Sequence, residues 1–297
     1  MAASDGRPPA AASAAIIQPL RPEDAEALCP LSIEAGWNQV AADWRLMLGL
    51  GRGFGARDDG GGWQASALVL PLGPSISWIS MLLVTKSGRR RGLGTALLTQ
   101  CVDAVEASGR SAGLDATELG RPIYLTRGFR DLYTFSRWTM PAGMRAAVAP
   151  PAGISIRPAR PADAARIADF DMPRSGFERA AILAHLLGRA PALARIAETA
   201  EGAIAGYALA RDGHRALHVG PVMARDEPIG LALLSSAVAG TDQPLIADVP
   251  DPHVRVRPWL ERQGGSVPRG FMRMLRGDSV PLRDASSIFA VAGPELA

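Results

Sequence analysis

Residues 78–98, WISMLLVTKSGRRRGLGTALL, constrain the fold of this chain more than any other stretch. The run 78–84 is apolar, partly β-branched and of strand length, and residues 85–88 are turn formers. Residues 92–107 then carry the pattern of an amphipathic helix, closed by Ser108 and Gly109. A buried strand is therefore joined to a helix through Arg89, Arg90, Arg91, Gly92, Leu93, Gly94 and Thr95. Glycines 92 and 94 remove the Cβ atoms that would hold a ligand off the backbone, and the unpaired N–H groups of the first helical turn point at an anion. A pyrophosphate fits such a cradle.

R-x-x-G-x-G in this setting resembles the acetyl-CoA pyrophosphate loop of the GNAT superfamily of N-acetyltransferases. A second motif stands downstream. Residues 114–117 read as a short strand, and Tyr124, Leu125, Thr126, Arg127, Gly128 and Phe129 match the superfamily's Y-x-x-x-G-F. The resemblance implies acetyl-CoA as co-substrate, held by residues 89–95, with Leu82, Leu83 and Val84 pairing with its pantetheine arm. It also implies an oxyanion donor in the backbone N–H at Leu82, and Tyr124 as the acid that protonates the departing thiolate.

The remaining elements follow the same order. A strand at 16–20 and a helix opening at Arg21, Pro22, Glu23 and Asp24 come first. Pro30 is expected to interrupt that helix, and a second helix is expected from about Asn38. The stretch 51–56 satisfies G-x-G-x-x-G/A, but a helix precedes it and a turn follows, the wrong context for a dinucleotide fingerprint. Residues around Phe54 and residues 63–70 read instead as a hairpin, giving β-α-α-β-β-β-α-β-α-β through residue 140.

The second half repeats the first. Ile17 to Ala25 recurs 139 positions later as Ile156 to Ala164; Arg121, Gly128, Phe135 and Arg137 recur 136 positions later as Arg257, Gly264, Phe271 and Arg273. The expected fold class is α/β (α+β), with two tandem GNAT-like domains, each a mixed central sheet flanked by helices. The expected division is a disordered tail at 1–15, a catalytic domain at 16–140, a Pro-rich linker at 141–153 and a degenerate domain at 154–297. Degeneracy is read from Pro228 in place of Gly92, Glu227 in place of Arg91 and Leu260 in place of Tyr124. The second half, including its closing Phe289 to Glu295, resembles a bacterial group with such a C-terminal domain.

No acid lies on the strand 78–84, so the general base is not identified by motif. Glu34, Asp43 and Glu118 are candidates by position, as is a water chain, while Asp115 is expected to orient local structure. Trp37, Asn38 and Trp44 are the expected acceptor walls, with core packing the plainer alternative. His214 and His218 lack neighbouring ligands for a metal site, and His185 reads as structural. The net charge of +3 argues against a nucleic-acid partner, and no apolar run is long enough to span a bilayer. Two unpaired cysteines, Cys29 and Cys101, fit a reducing, cytoplasmic setting. The expected activity is N-acetylation of a small-molecule amine by a monomer or homodimer without a metal; a non-catalytic acyl-CoA-binding scaffold is the alternative.

Overall fold

The computed structural model describes residues 16–143, 145–278 and 285–297. The expected tail 1–15 lies outside the described residues. The first half runs β1 (Ile17–Leu20), α1 (Ala25–Glu34), α2 (Ala41–Leu50), β2 (Arg52–Arg57), β3 (Trp63–Pro71), β4 (Ile76–Val84), α3 (Leu93–Ala107), β5 (Ser111–Ala116), α4 (Arg121–Leu125) and β6 (Arg130–Met140). The second repeats it as β7 (Ile154–Pro158), α5 (Ala164–Ser175), α6 (Ala180–Arg189), β8 (Arg195–Thr199), β9 (Ile204–Arg211), β10 (Leu217–Ala224), α7 (Glu227–Val238), β11 (Leu245–Pro250), α8 (Val256–Arg262) and β12 (Ser266–Arg276), and adds β13 (Ile288–Ala290). The repeated R-P-x-D motif does the same work twice. Asp24 accepts the Arg21 N–H at 2.9 Å and Asp163 the Arg160 N–H at 2.8 Å, so each first helix starts at the same place in its repeat.

Two helix boundaries differ from expectation. Pro30 lies inside α1 rather than ending it, because it sits on the solvent face and the one carbonyl it leaves unpaired, that of the exposed Glu26, can turn to water. The second helix starts at Ala41, where Asp43 accepts the Val40 N–H at 2.9 Å. Asn38 stays outside it. Its side chain donates to the Ala216 carbonyl at 2.9 Å and accepts the Arg215 and Ala216 N–H groups, tying the first half to the second. Asn38→Ala should lower stability by roughly 1–3 kcal/mol, since it strands three polar groups of the other half. Urea unfolding measures this, and a change within a few tenths would mean that water replaces the amide.

The strands form one sheet in the order β1-β2-β3-β4-β5-β12-β6-β11-β10-β9-β8-β7, with β13 beside β10. Strands β5 and β6 of the first half do not touch as ladder partners: β12 from the second half lies between them, and β6 pairs with β11. Each half of the repeat thus closes the other's sheet. Across these seams the repeat-related Phe135 and Phe271 stack at 5.0 Å. Arg137 reaches both carboxylate oxygens of Asp248, and Arg273 both oxygens of Asp115, at 2.7–2.9 Å and out of solvent.

Strand β4 pairs with β5 only through residues 76–78 and 111–113. Beyond that point Met81 adopts φ +50° inside a β-bulge against β3, and β4 leaves its parallel partner, opening a slot. The Ser66 hydroxyl donates to the Met81 carbonyl at 2.8 Å and holds the bulge. The second half has the equivalent opening between β10 and β11, but β13 fills it, pairing Val222 with Ala290 and Met223 with Ile288. No helix among the described residues is long and apolar enough to cross a membrane.

Candidate active site

The slot between β4 and β5 ends in a cavity of ≈ 100 Å3 whose wall includes Ser80, Met81 and Leu82 from the bulge, Thr117, Tyr124, Trp37, Gln39, Arg137, Arg269 and Glu295. Leu82, Tyr124 and Trp37, expected at the site from sequence, are brought together here. None of the expected cofactor residues 89–95 lines this cavity; the N-terminus of α3 instead stands beside the end of β4. Gly92 precedes the helix at φ +77°, with nothing within 4 Å of the place a Cβ would take. The first intrahelical bond runs from Ala96 N–H to the Gly92 carbonyl at 3.0 Å, so the N–H groups of Leu93, Gly94 and Thr95 precede the ladder and face outward. Arg89, Arg90, Arg91 and Gly92 are exposed, and Arg91 makes one long contact, 3.4 Å to Gln64. The Val84 side chain lies 3.7 Å from where a Gly94 Cβ would stand, while Leu83 points into the core.

The Y-x-x-x-G-F spacing has a local reason. Gly128 takes φ +79°, which lets the Phe129 N–H turn back to the Tyr124 carbonyl at 3.2 Å and sets the Phe129 ring edge-on to Tyr124. Burial, with Cys101 beside it, pushes the Tyr124 hydroxyl up to about 12. It therefore keeps its proton across the working range of pH.

Several candidates lie elsewhere. Trp44 is wholly buried, its indole N–H on the Ser32 hydroxyl at 3.0 Å, so it is core and not an acceptor wall. Asn38 is the bridge described above. Glu34 caps the Lys86 N–H, Glu118 is exposed, and Asp43 is buried in ion pairs with Arg189 and Arg211. None of the three lines the cavity. Asp115 does line the cavity, with both oxygens of its carboxylate bonded by Arg273. Burial pushes that carboxyl up to about 6 against the pull of the guanidinium.

A second carboxylate on the cavity wall is Glu295, delivered by the segment after β13. The Pro294 carbonyl accepts the Trp78 indole N–H at 2.8 Å, which fixes the segment against β4. Glu295 is fully buried and paired with Arg211, whose other partners are Asp43 and His218. Burial works against its charge, but the Arg211 guanidinium, together with His218 and a Gln39 hydrogen bond, holds the Glu295 carboxyl below the usual range. His218, 3.1 Å from Asp248, is kept neutral mainly by burial. Sequence spacing could not find Glu295, because 295 and 124 meet only through the strand exchange.

In the second half the corresponding cradle is taken. Asp226 caps α7 through the Ile229 N–H at 3.0 Å, Pro228 removes a donor, and Glu227 accepts the Arg255 N–H at 2.6 Å. Phe289 packs on Gly230, the counterpart of Gly94, so closely that a Cβ there would lie 2.3 Å from its ring. Among the described residues no group of His, Cys, Asp and Glu could hold a metal ion.

A mixed sheet that splays beside an exposed helix N-terminus leaves a slot suited to an extended ligand with an anionic group. Residues 167–290 match the family described as an acetyltransferase (GNAT) domain. YitH of Bacillus subtilis, an uncharacterized N-acetyltransferase, is 24% identical over 246 residues, 82% of this chain and 86% of its own. A provisionally assigned acetyltransferase from Pyrococcus horikoshii superposes with TM-score 0.75 at 18% identity, over 95% of both chains. A tandem GNAT protein of clavulanic acid biosynthesis gives TM-score 0.62 at 16% identity, over 89% of this chain and 99% of its own. The second half of the chain thus matches a GNAT acetyltransferase domain model, and the chain as a whole shares the fold of these acetyltransferase structures.

Proposed function

We propose that this chain transfers an acetyl group from acetyl-CoA to a small-molecule amine by direct attack on the thioester, using one cofactor site per chain, between β4, β5 and α3. The observation that carries this reading is the meeting of Leu82, Tyr124 and Glu295 on one cavity, with Val84 of the same strand packed toward Gly94 at the start of α3. The Leu82 N–H, next to the bulge, is the oxyanion donor, and such donors contribute roughly 3 kcal/mol where they have been removed. Tyr124 gives its proton to the thiolate. The second slot takes no cofactor, because β13 and Phe289 occupy it.

The non-catalytic scaffold reading rested on the absence of a base; the Glu295 carboxylate on the cavity wall supports the enzyme reading instead. Calorimetric titration with acetyl-CoA should give one site per chain, and Tyr124→Phe should cut kcat by about 100-fold while leaving the acetyl-CoA affinity unchanged. A variant of full activity would overturn the role of Tyr124; two sites per chain would overturn the blocked second slot. The unpaired cysteines and modest charge fit a cytoplasmic enzyme without a nucleic-acid partner, monomeric or dimeric.

A further inference from the structure

The acceptor side of the cavity is polar in a specific way. Glu295 is ionised, and the Gln39 Oε1 and Ser80 Oγ atoms are buried on the same wall without a hydrogen-bond partner. All three can accept hydrogen bonds, which suits the N–H donors of an amine. Arg137 and Arg269 also line a second cavity of ≈ 430 Å3, so the two spaces adjoin. That cavity is bounded further by Asn38, Thr139 and Arg215, and no Asp or Glu is on its wall.

Its arginines are not equally neutralised. Arg137 is spent on Asp248, but Arg269 makes no hydrogen bond or ion pair among the described residues, and Arg215 has only a 3.4 Å contact to the Gly36 carbonyl. Arg269 stands directly across the ladder from Arg137, an arrangement of like charges that costs stability in a sheet. Burial, together with Arg137, holds the Arg269 guanidinium below its ordinary value. A half-buried guanidinium beside another, facing a cavity without acids, is a seat for an anion.

We propose that the acceptor is a small amine that also carries an anionic group, a carboxylate or a phosphate, bound with its amine between Glu295, Gln39 and Ser80 and its anion on Arg269 and Arg215. This rests on the acetyltransferase reading above. The amine nitrogen attacks the thioester carbon; the N–C bond forms and the C–S bond breaks. The nitrogen becomes strongly acidic as it attacks, so a carboxylate held ionised by Arg211 can take its proton. Tyr124 protonates the sulfur, and the proton on Glu295 returns to Tyr124 through solvent.

The test measures CoA release with the common L-amino acids against their amides, and with O-phosphoethanolamine against ethanolamine, after acetyl-CoA binding has been confirmed by calorimetry. Anionic amines should show kcat/KM about 100-fold above their neutral counterparts, and the better of the two sets identifies carboxylate or phosphate. Arg269→Gln removes no contact of the fold; it should raise KM for the anionic amine about 10-fold while sparing kcat and acetyl-CoA affinity. Glu295→Gln should instead lower kcat by about 100-fold and remove the acidic limb of the pH profile. Equal use of neutral and anionic amines, equal loss for both in Arg269→Gln, or bound acetyl-CoA with no release by any anionic amine would each overturn the proposal. Failure of acetyl-CoA to bind would instead overturn the reading beneath it.

Discussion

Arg273→Met is expected to destabilise the protein by roughly 3–5 kcal/mol at pH 8 and by clearly less at pH 5. The substitution keeps an unbranched side chain among Trp78, Tyr133 and Phe135, over which the guanidinium now lies, so the loss is mainly electrostatic. Asp115 is left fully buried without the partner that bonds both its oxygens. In the native chain its folded value, about 6, lies above the ordinary 3.8. The folded state therefore binds more protons than the unfolded state between those values. The stability from this group is fully present below about 3.8 and is lost as pH rises through 6. Without Arg273 the folded value moves higher still, and the loss extends toward pH 8. Urea unfolding at the two pH values measures the difference; equal destabilisation at both would show that Asp115 is not the titrating group.

Gly92→Asp is expected to weaken acetyl-CoA binding by about 1,000-fold with little change in melting temperature. Left-handed φ at a residue with a Cβ costs roughly 1–2 kcal/mol, although Asp tolerates it better than most. A carboxylate about 4 Å from a pyrophosphate adds roughly 1–4 kcal/mol of repulsion. The strain acts on the fold and the repulsion on the bound cofactor, which separates binding from folding, and a negative charge at the helix N-terminus offsets part of the strain. Gly92→Ala, with open space around its Cβ, should cost only about 10-fold. Calorimetry distinguishes the two, and an unchanged affinity in Gly92→Asp would mean that the pyrophosphate lies elsewhere.

Local chemistry was legible wherever a short stretch determines its own geometry. The R-P-x-D starts, the hairpin over residues 52–71, the strand and helix around residues 78–107 and the α4 turn that ends at Gly128 all follow from neighbours in the chain. Helix edges were less legible. Pro30 shows why: its effect depends on whether the freed carbonyl faces water, which is a property of packing. Trp44 and Trp37 read alike in sequence, yet one is core and the other lines the cavity, because seven residues and a helix start separate the faces they occupy.

From the sequence alone came the repeat, the strand, glycine turn and helix around Gly92 and Gly94 and the position of Tyr124, since each is carried by residues close along the chain. The repeat even paired Arg137 with Arg273, without saying what they do. Only the tertiary structure decided that each of these arginines crosses to an aspartate of the other half, that β13 closes the second slot, and that Glu295 enters the first. Those contacts join residues far apart in the chain, 111, 158 and 84 positions for Arg137–Asp248, Arg273–Asp115 and Arg211–Glu295, and their energies depend on burial and on the charges that the fold brings together. No local pattern encodes such a meeting, because the low dielectric that gives these ion pairs their strength exists only once the two halves have closed around them.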